Sequence, residues 1–176
     1  MFKEKENKML TTRDITLIAI LTAILFVQEQ ALSFIPNFQL TVFLIVLFSK
    51  KIGFVNTIII TAIHVLLDNL VMGSFNFIYV PFMLIGWLII PVLLNTIFKK
   101  VNSNILLAVL GVMFSFIYCW IYIIPNCIIL QTDFFSYLIA DLIWEILLAS
   151  SSFITILLLY TPCSNVLDKV LKRQYE

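Results

Sequence analysis

The chain has 176 residues, 62% of them hydrophobic and only 12% charged, with eleven lysines and arginines, ten acids and one histidine. Its mean hydropathy is +1.08, whereas a soluble domain is roughly half apolar and about a quarter charged. A water-soluble fold is excluded, and four glycines, five prolines and no low-complexity stretch make the whole of 1–176 read as one membrane domain with short loops.

About 20 apolar residues cross a hydrocarbon core of roughly 30 Å, so hydropathy is cut wherever charges or Pro/Asn clusters interrupt it. The cuts predict an all-α bundle of six spans near 14–34, 36–49, 54–71, 76–98, 104–124 and 134–161, with tails at 1–13 and 162–176. The charged start followed by the apolar run 15–27 has the outline of a signal peptide, but no small-x-small cleavage site follows and further spans do. It reads as a retained first helix.

Span one carries Thr12, Thr16, Ala19 and Ala23, which at about 100° per residue fall within about 40° of one line. Small residues on a line let another helix backbone approach closely, the main route to association in lipid. That partner is either a helix of the same bundle or a separate membrane subunit. The span ends on a polar patch, Gln28, Glu29 and Gln30; Gln30 prolongs the small stripe and Glu29 points about 100° away from it.

Span two is short: about 14 residues cover roughly 21 Å. It needs local bilayer thinning or help from the loop 33–37. Asn37 and Gln39 lie in this first loop. Span three holds the only histidine, His64, with Asp68 four residues on and Thr61 a turn earlier. The pair reads as an interhelical hydrogen bond, or as a ligand contact or proton relay; one His and one Asp are too few for a metal site. Asn76 lies in the loop before span four.

The segment 118–131 contains Trp120, Tyr122, Pro125, Asn126 and Gln131. Its aromatics read as interfacial belt residues, Pro125 as the end of the helix, and Asn126 as the ligand contact of the group. On span six Tyr137, Asp141 and Glu145 are spaced i, i+4, i+8 beside Trp144 and share one inward face. Intramembrane carboxyls cost about 2.5–3.5 kcal/mol each on insertion scales. Two of them one turn apart repel unless one is protonated or a cation lies between, and a ligand cation on the π faces of Trp144 and Tyr137 answers that need. The plainer reading is a protonated carboxyl bonded to a neighbouring helix. Cys119, Cys127 and Cys163 form no C-x-x-C and sit in apolar surroundings. They read as buried small residues, without metal or cofactor.

Charge supplies an independent test of the span count, because Lys and Arg in short loops stay on the cytoplasmic side. Lys3, Lys5, Lys8 and Arg13 precede span one, Lys50 and Lys51 separate spans two and three, Lys99 and Lys100 separate four and five, and Lys169, Lys172 and Arg173 follow six. Six spans put all of them on one face with both termini inside. Glu4, Glu6, Asp14, Asp168 and Glu176 accompany that basic face, while Glu29, Asp68, Asp133, Asp141 and Glu145 fall in the outer half.

The opening T-T-R-D-I-T-L-I-A-I-L-T-A-I-L with its Ala19-x-x-x-Ala23, the I-G-F-V-N that begins span three, Asp68 near its outer end and P-F-M-L-I-G-W in span four resemble the small S-components of energy-coupling-factor vitamin transporters. The resemblance implies a non-enzymatic subunit of a bacterial plasma membrane that captures a vitamin or vitamin precursor in an outward-facing pocket. It also implies docking through Ala19 and Ala23 on a membrane scaffold (T) subunit carrying two ATPase subunits, and first and third loops, with Asn37 and Asn76, that contribute to the pocket. No G-x-x-x-x-G-K-[S/T] loop is present to cradle nucleotide phosphates, so the energy comes from elsewhere. An outer half without cations favours a neutral or cationic ring compound. Two other functions compete: an intramembrane enzyme, for which no G-x-S-x-G turn is present, and a structural or assembly subunit whose polar residues hold helices together.

Overall fold

The computed structural model describes residues 11–71 and 75–175, which form six α-helices and, among the described residues, no strand. Four of the helices have the length and apolarity to cross a membrane: α1 (Thr12–Leu32), α3 (Phe54–Val71), α5 (Asn104–Leu130) and α6 (Phe134–Tyr175). α4 (Tyr79–Asn95) is apolar but shorter, and α2 (Thr41–Lys51) is the shortest.

α1 starts ahead of the hydropathy cut because Thr11 and Asp14 close a reciprocal cap. The Thr11 N–H donates to Asp14 Oδ2 at 2.9 Å, and the Asp14 N–H to Thr11 Oγ1 at 3.3 Å. The helix buries Leu17, Ile18, Leu21, Thr22 and Leu25. Thr12, Thr16, Ala19 and Ala23 are exposed, so the small-residue stripe faces out of the bundle.

The second segment departs from the expected span 36–49. Pro36 and Asn37, the latter in the left-handed region at φ 54°, keep 33–40 non-helical. Helix begins only at Thr41. Every residue from Thr41 to Ser49 is buried, and α2 packs against all five other helices. Its apolarity is that of an inner helix enclosed by protein, which explains why 11 residues suffice.

Non-helical backbone packed between helices must have its polar groups satisfied by other partners. Side chains do so here. The Leu40 N–H donates to Gln28 Oε1 at 2.8 Å, the Gln39 N–H to Ser151 Oγ at 3.2 Å, and Ser151 Oγ in turn to the Gln39 carbonyl at 2.8 Å. α1 and α6 thereby hold the first loop from both sides.

Two prolines expected at helix ends lie inside helices. Pro125 stays within α5, and Asn126 Nδ2 donates to the Tyr122 carbonyl at 2.9 Å in the turn the proline disturbs. Pro162 stays within α6, whose last turns bury Leu167 and Leu171 and tie to α2 through Lys51 Nζ and Asp168 Oδ2 at 2.6 Å. The expected C-terminal tail is therefore helical to Tyr175.

α5 and α6 meet closely through small residues. Ser115 and Ser152 share a hydrogen bond at 2.8 Å, and a Cβ on Gly111 would collide with the Ile156 side chain. At the basic end Lys50 Nζ donates to the Phe98 carbonyl at 2.8 Å, and Thr16 and Ile20 of α1 face Val170 and Arg173 of α6 across a shallow groove. The described basic residues thus collect at one end of the bundle. Lys3, Lys5, Lys8, Glu4, Glu6 and Glu176 lie outside the described residues.

Candidate functional site

At the opposite end the polar tip of α1 meets α3. Glu29 Oε2 is 3.0 Å from His64 Nε2 and accepts from Thr41 Oγ1 at 3.4 Å, while Gln30 Nε2 donates to Asp68 Oδ1 at 3.2 Å. Consecutive residues of α1 engage positions one turn apart on α3, which stitches the two helices together. His64 is 1% exposed and so has no contact with bulk water, whereas the Glu29 side chain retains 20% exposure. That remaining surface faces a cavity.

The cavity has a volume of about 360 Å³. Glu29 and Leu32 form its α1 side, the loop residues Ser33, Ile35, Pro36, Asn37, Phe38 and Gln39 lie across it, and α5 and α6 close it with Tyr118, Cys119, Tyr122, Asn126, Tyr137, Asp141 and Leu148. Its wall carries two carboxyls, three phenols and the amides of Asn37, Gln39 and Asn126, with neither lysine nor arginine.

Five of the residues expected from sequence to meet a ligand are in this wall: Glu29, Asn37, Asn126, Tyr137 and Asp141. Gln30, His64 and Asp68 sit behind it in the α1–α3 seam. Glu145 is fully buried and accepts from Trp120 Nε1 at 3.2 Å. Trp144 is 40% exposed and is not among the wall residues. Asn76 caps the approach to α4, its Oδ1 accepting from the Ile78 N–H at 2.8 Å, and does not reach the cavity. Ala19 and Ala23 are exposed on the outer face of α1.

The aromatics of α5 are where sequence reasoning fell short. Tyr118 and Tyr122, read as interfacial, belong to a stacked column: Trp87 and Tyr118 at 3.8 Å between ring centroids, Tyr118 and Tyr122 at 5.9 Å, and Tyr122 and Tyr79 at 5.3 Å. Gly86 makes room for it, since a Cβ there would lie 2.7 Å from Tyr118 Cδ2. Tyr79 then donates to Asn126 Oδ1 at 2.8 Å and fixes the amide at the cavity wall. The signal was the i, i+4, i+8 spacing of Tyr118, Tyr122 and Asn126, which puts all three on one face.

Chemically the site is equipped to hold a small molecule by hydrogen bonds, carboxylate charge and π faces. Cys119 is the wall's only thiol, and no histidine stands in the wall to act as its base. No group of three or more metal-ligating side chains occurs among the described residues. Comparison with protein-family models, with curated proteins and with solved structures finds no match to this chain.

Proposed function

We propose that this chain is the substrate-binding membrane subunit of an energy-coupling-factor type importer, which captures a vitamin-like ring compound from outside for uptake driven by partner ATPases. The single observation that carries the reading is the cavity of about 360 Å³ at the acid-rich end, floored by tyrosines and closed by a pinned loop. Pockets for small ligands start at about 300 Å³. In this reading the chain is a six-helix bundle with both termini cytoplasmic, because the basic end takes the inner side and the cavity opens outward. The exposed Thr12, Thr16, Ala19, Ala23 face is then the docking surface for the scaffold subunit.

The assembly-subunit reading accounts for His64, Asp68 and Gln30, whose polar atoms join helices. It does not account for Asp141, which stands in a cavity wall with no hydrogen-bond partner among the described residues. The deciding experiment is native mass spectrometry of the purified protein together with uptake in the producing cell. A non-lipid small molecule bound to the protein and diminished in Asp141→Asn supports the reading. Bulky replacements at Ala19 and Ala23 are expected to abolish uptake and spare binding, as befits residues outside the core. Absence of any bound small molecule, with Asp141→Asn changing only stability, would leave the assembly role.

A further inference from the structure

We infer that the cavity's occupant is an organic cation built on a flat ring, with its charge between Glu29 and Asp141 and its ring against Tyr118 and Tyr122. The inference rests on the solute-binding reading above and names the class of solute. Glu29 comes from α1 and Asp141 from α6, so the two carboxyls approach the cavity from different walls. His64 meets Glu29 from behind, while no cation among the described residues meets Asp141: Lys50 and Lys51 are committed to the Phe98 carbonyl and Asp168 at the far end.

A second observation points the same way. Glu145 lies on α6 between Asp141 and Leu148, both wall residues, and about 40° from Asp141 around the helix. It is fully buried, and while Oε2 takes the Trp120 N–H, Oε1 has no hydrogen-bond partner among the described residues. A buried carboxyl oxygen left unpaired is costly, and a positive charge held at Asp141, one turn away on the same helix, lowers that cost through space.

The aromatic surface completes the fit. Rings attract a cation through their π faces, the more strongly when water is excluded. An anion meets carboxylates with no lysine or arginine to offset them. A volume of about 360 Å³ suits one or two rings and is too small for a large macrocycle.

The test uses three probes with one pyridine ring and different charge: the N-methylated nicotinamide cation, neutral nicotinamide and the nicotinate anion. Binding of each probe to the unaltered chain is read by isothermal titration calorimetry in maltoside micelles. The cation is expected to bind at concentrations where the other two do not. Glu29→Gln and Asp141→Asn should each weaken that binding at least tenfold. Equal binding of nicotinamide or nicotinate, binding of the cation untouched by both substitutions, or no binding of any probe overturns the inference. The charge comparison needs no carboxyl variant, so a poorly folding one does not spoil it. The solute-binding reading fails separately, when native mass spectrometry finds no non-lipid small molecule on the protein.

Discussion

Glu29 and His64 illustrate how one residue's partner sets the cost of losing it. A buried pair broken on one side loses about 3–5 kcal/mol, yet interhelical hydrogen bonds inside membranes average about 0.6 and reach about 1.7 kcal/mol. Glu29 keeps part of its surface on the cavity, so it can be rehydrated there when His64 is lost. The membrane figure therefore applies, and a double-mutant cycle on His64→Gln and Glu29→Gln is expected to give a coupling of about 1 kcal/mol in unfolding experiments. A coupling under about 0.3 kcal/mol, the scatter of independent sites, would mean the 3.0 Å contact contributes nothing. Gly86 poses the opposite problem, that of added volume. Its Cβ would press on a ring already stacked against Trp87, so Gly86→Ala must displace Tyr118 and is expected to cost about 1–3 kcal/mol. Tryptophan fluorescence reads this directly: an unchanged emission with unchanged stability would show that the column tolerates the methyl group.

At the scale of elements, the first loop and the start of α6 are two places where a side chain substitutes for helix hydrogen bonds. Ser151→Ala removes both the acceptor for the Gln39 N–H and the donor to its carbonyl, and leaves them no other hydrogen-bond partner among the described residues. Hydrogen exchange at residues 38–40 is expected to rise while that of α2 stays slow, and equal protection in both proteins would sink the idea that α6 holds the loop. Asp133 caps α6 by accepting from the Ser136 N–H at 3.0 Å and its hydroxyl at 3.2 Å, and these bonds hold its carboxyl below the usual carboxylate range. A lowered folded value means that the cap contributes at pH above the unfolded carboxyl's range and is lost as pH falls through the folded one. In Asp133→Ala the amides of residues 134–137 should be less protected than in the unaltered chain at neutral pH, with the gap closing in strong acid. A gap that persists there would argue against the charged cap. These elements also show what the sequence could and could not reveal. Hydropathy located α1, α3 and α6 because lipid-facing helices are long and uniformly apolar. It misread α2, since an inner helix is just as apolar and needs no particular length, and it ended α5 at Pro125, where Asn126 supports the disturbed turn. In the candidate site, Asp141 and Glu29 were visible as costly intramembrane acids. Tyr118 and Tyr122 were not, because the contacts that turn a tyrosine inward are tertiary: Gly86 and Trp87 on another helix.

Across the described residues the charges run from one end to the other, and this gradient is expected to set the arrangement in the bilayer. Lys50, Lys51, Lys99 and Lys100 lie at the turns of the basic end with the close of α6, and the cavity acids lie at the other. α6 has 42 residues, about 63 Å of helix at 1.5 Å per residue, against a hydrocarbon core of roughly 30 Å. It must therefore emerge from the bilayer, and its charges decide where: Asp168, Lys169, Lys172 and Arg173 fall in its final turns, whereas the stretch before Pro162 carries only Asp141 and Glu145. The part expected to emerge is the last three to four turns, on the side that holds Lys51. Cysteine introduced at Asn165 or Lys169, both exposed, into a chain with its own three thiols replaced, is expected to react with a membrane-impermeant maleimide only after the cell is opened. Cysteine at Ser33 or Asn37, beside the cavity mouth, is expected to react in intact cells. The reverse pattern would place the basic end outside and the cavity within, which would turn an uptake subunit's pocket the wrong way. Reaction at both ends in intact cells would instead show mixed insertion, and the charge gradient of the chain would then be too weak to orient the bundle.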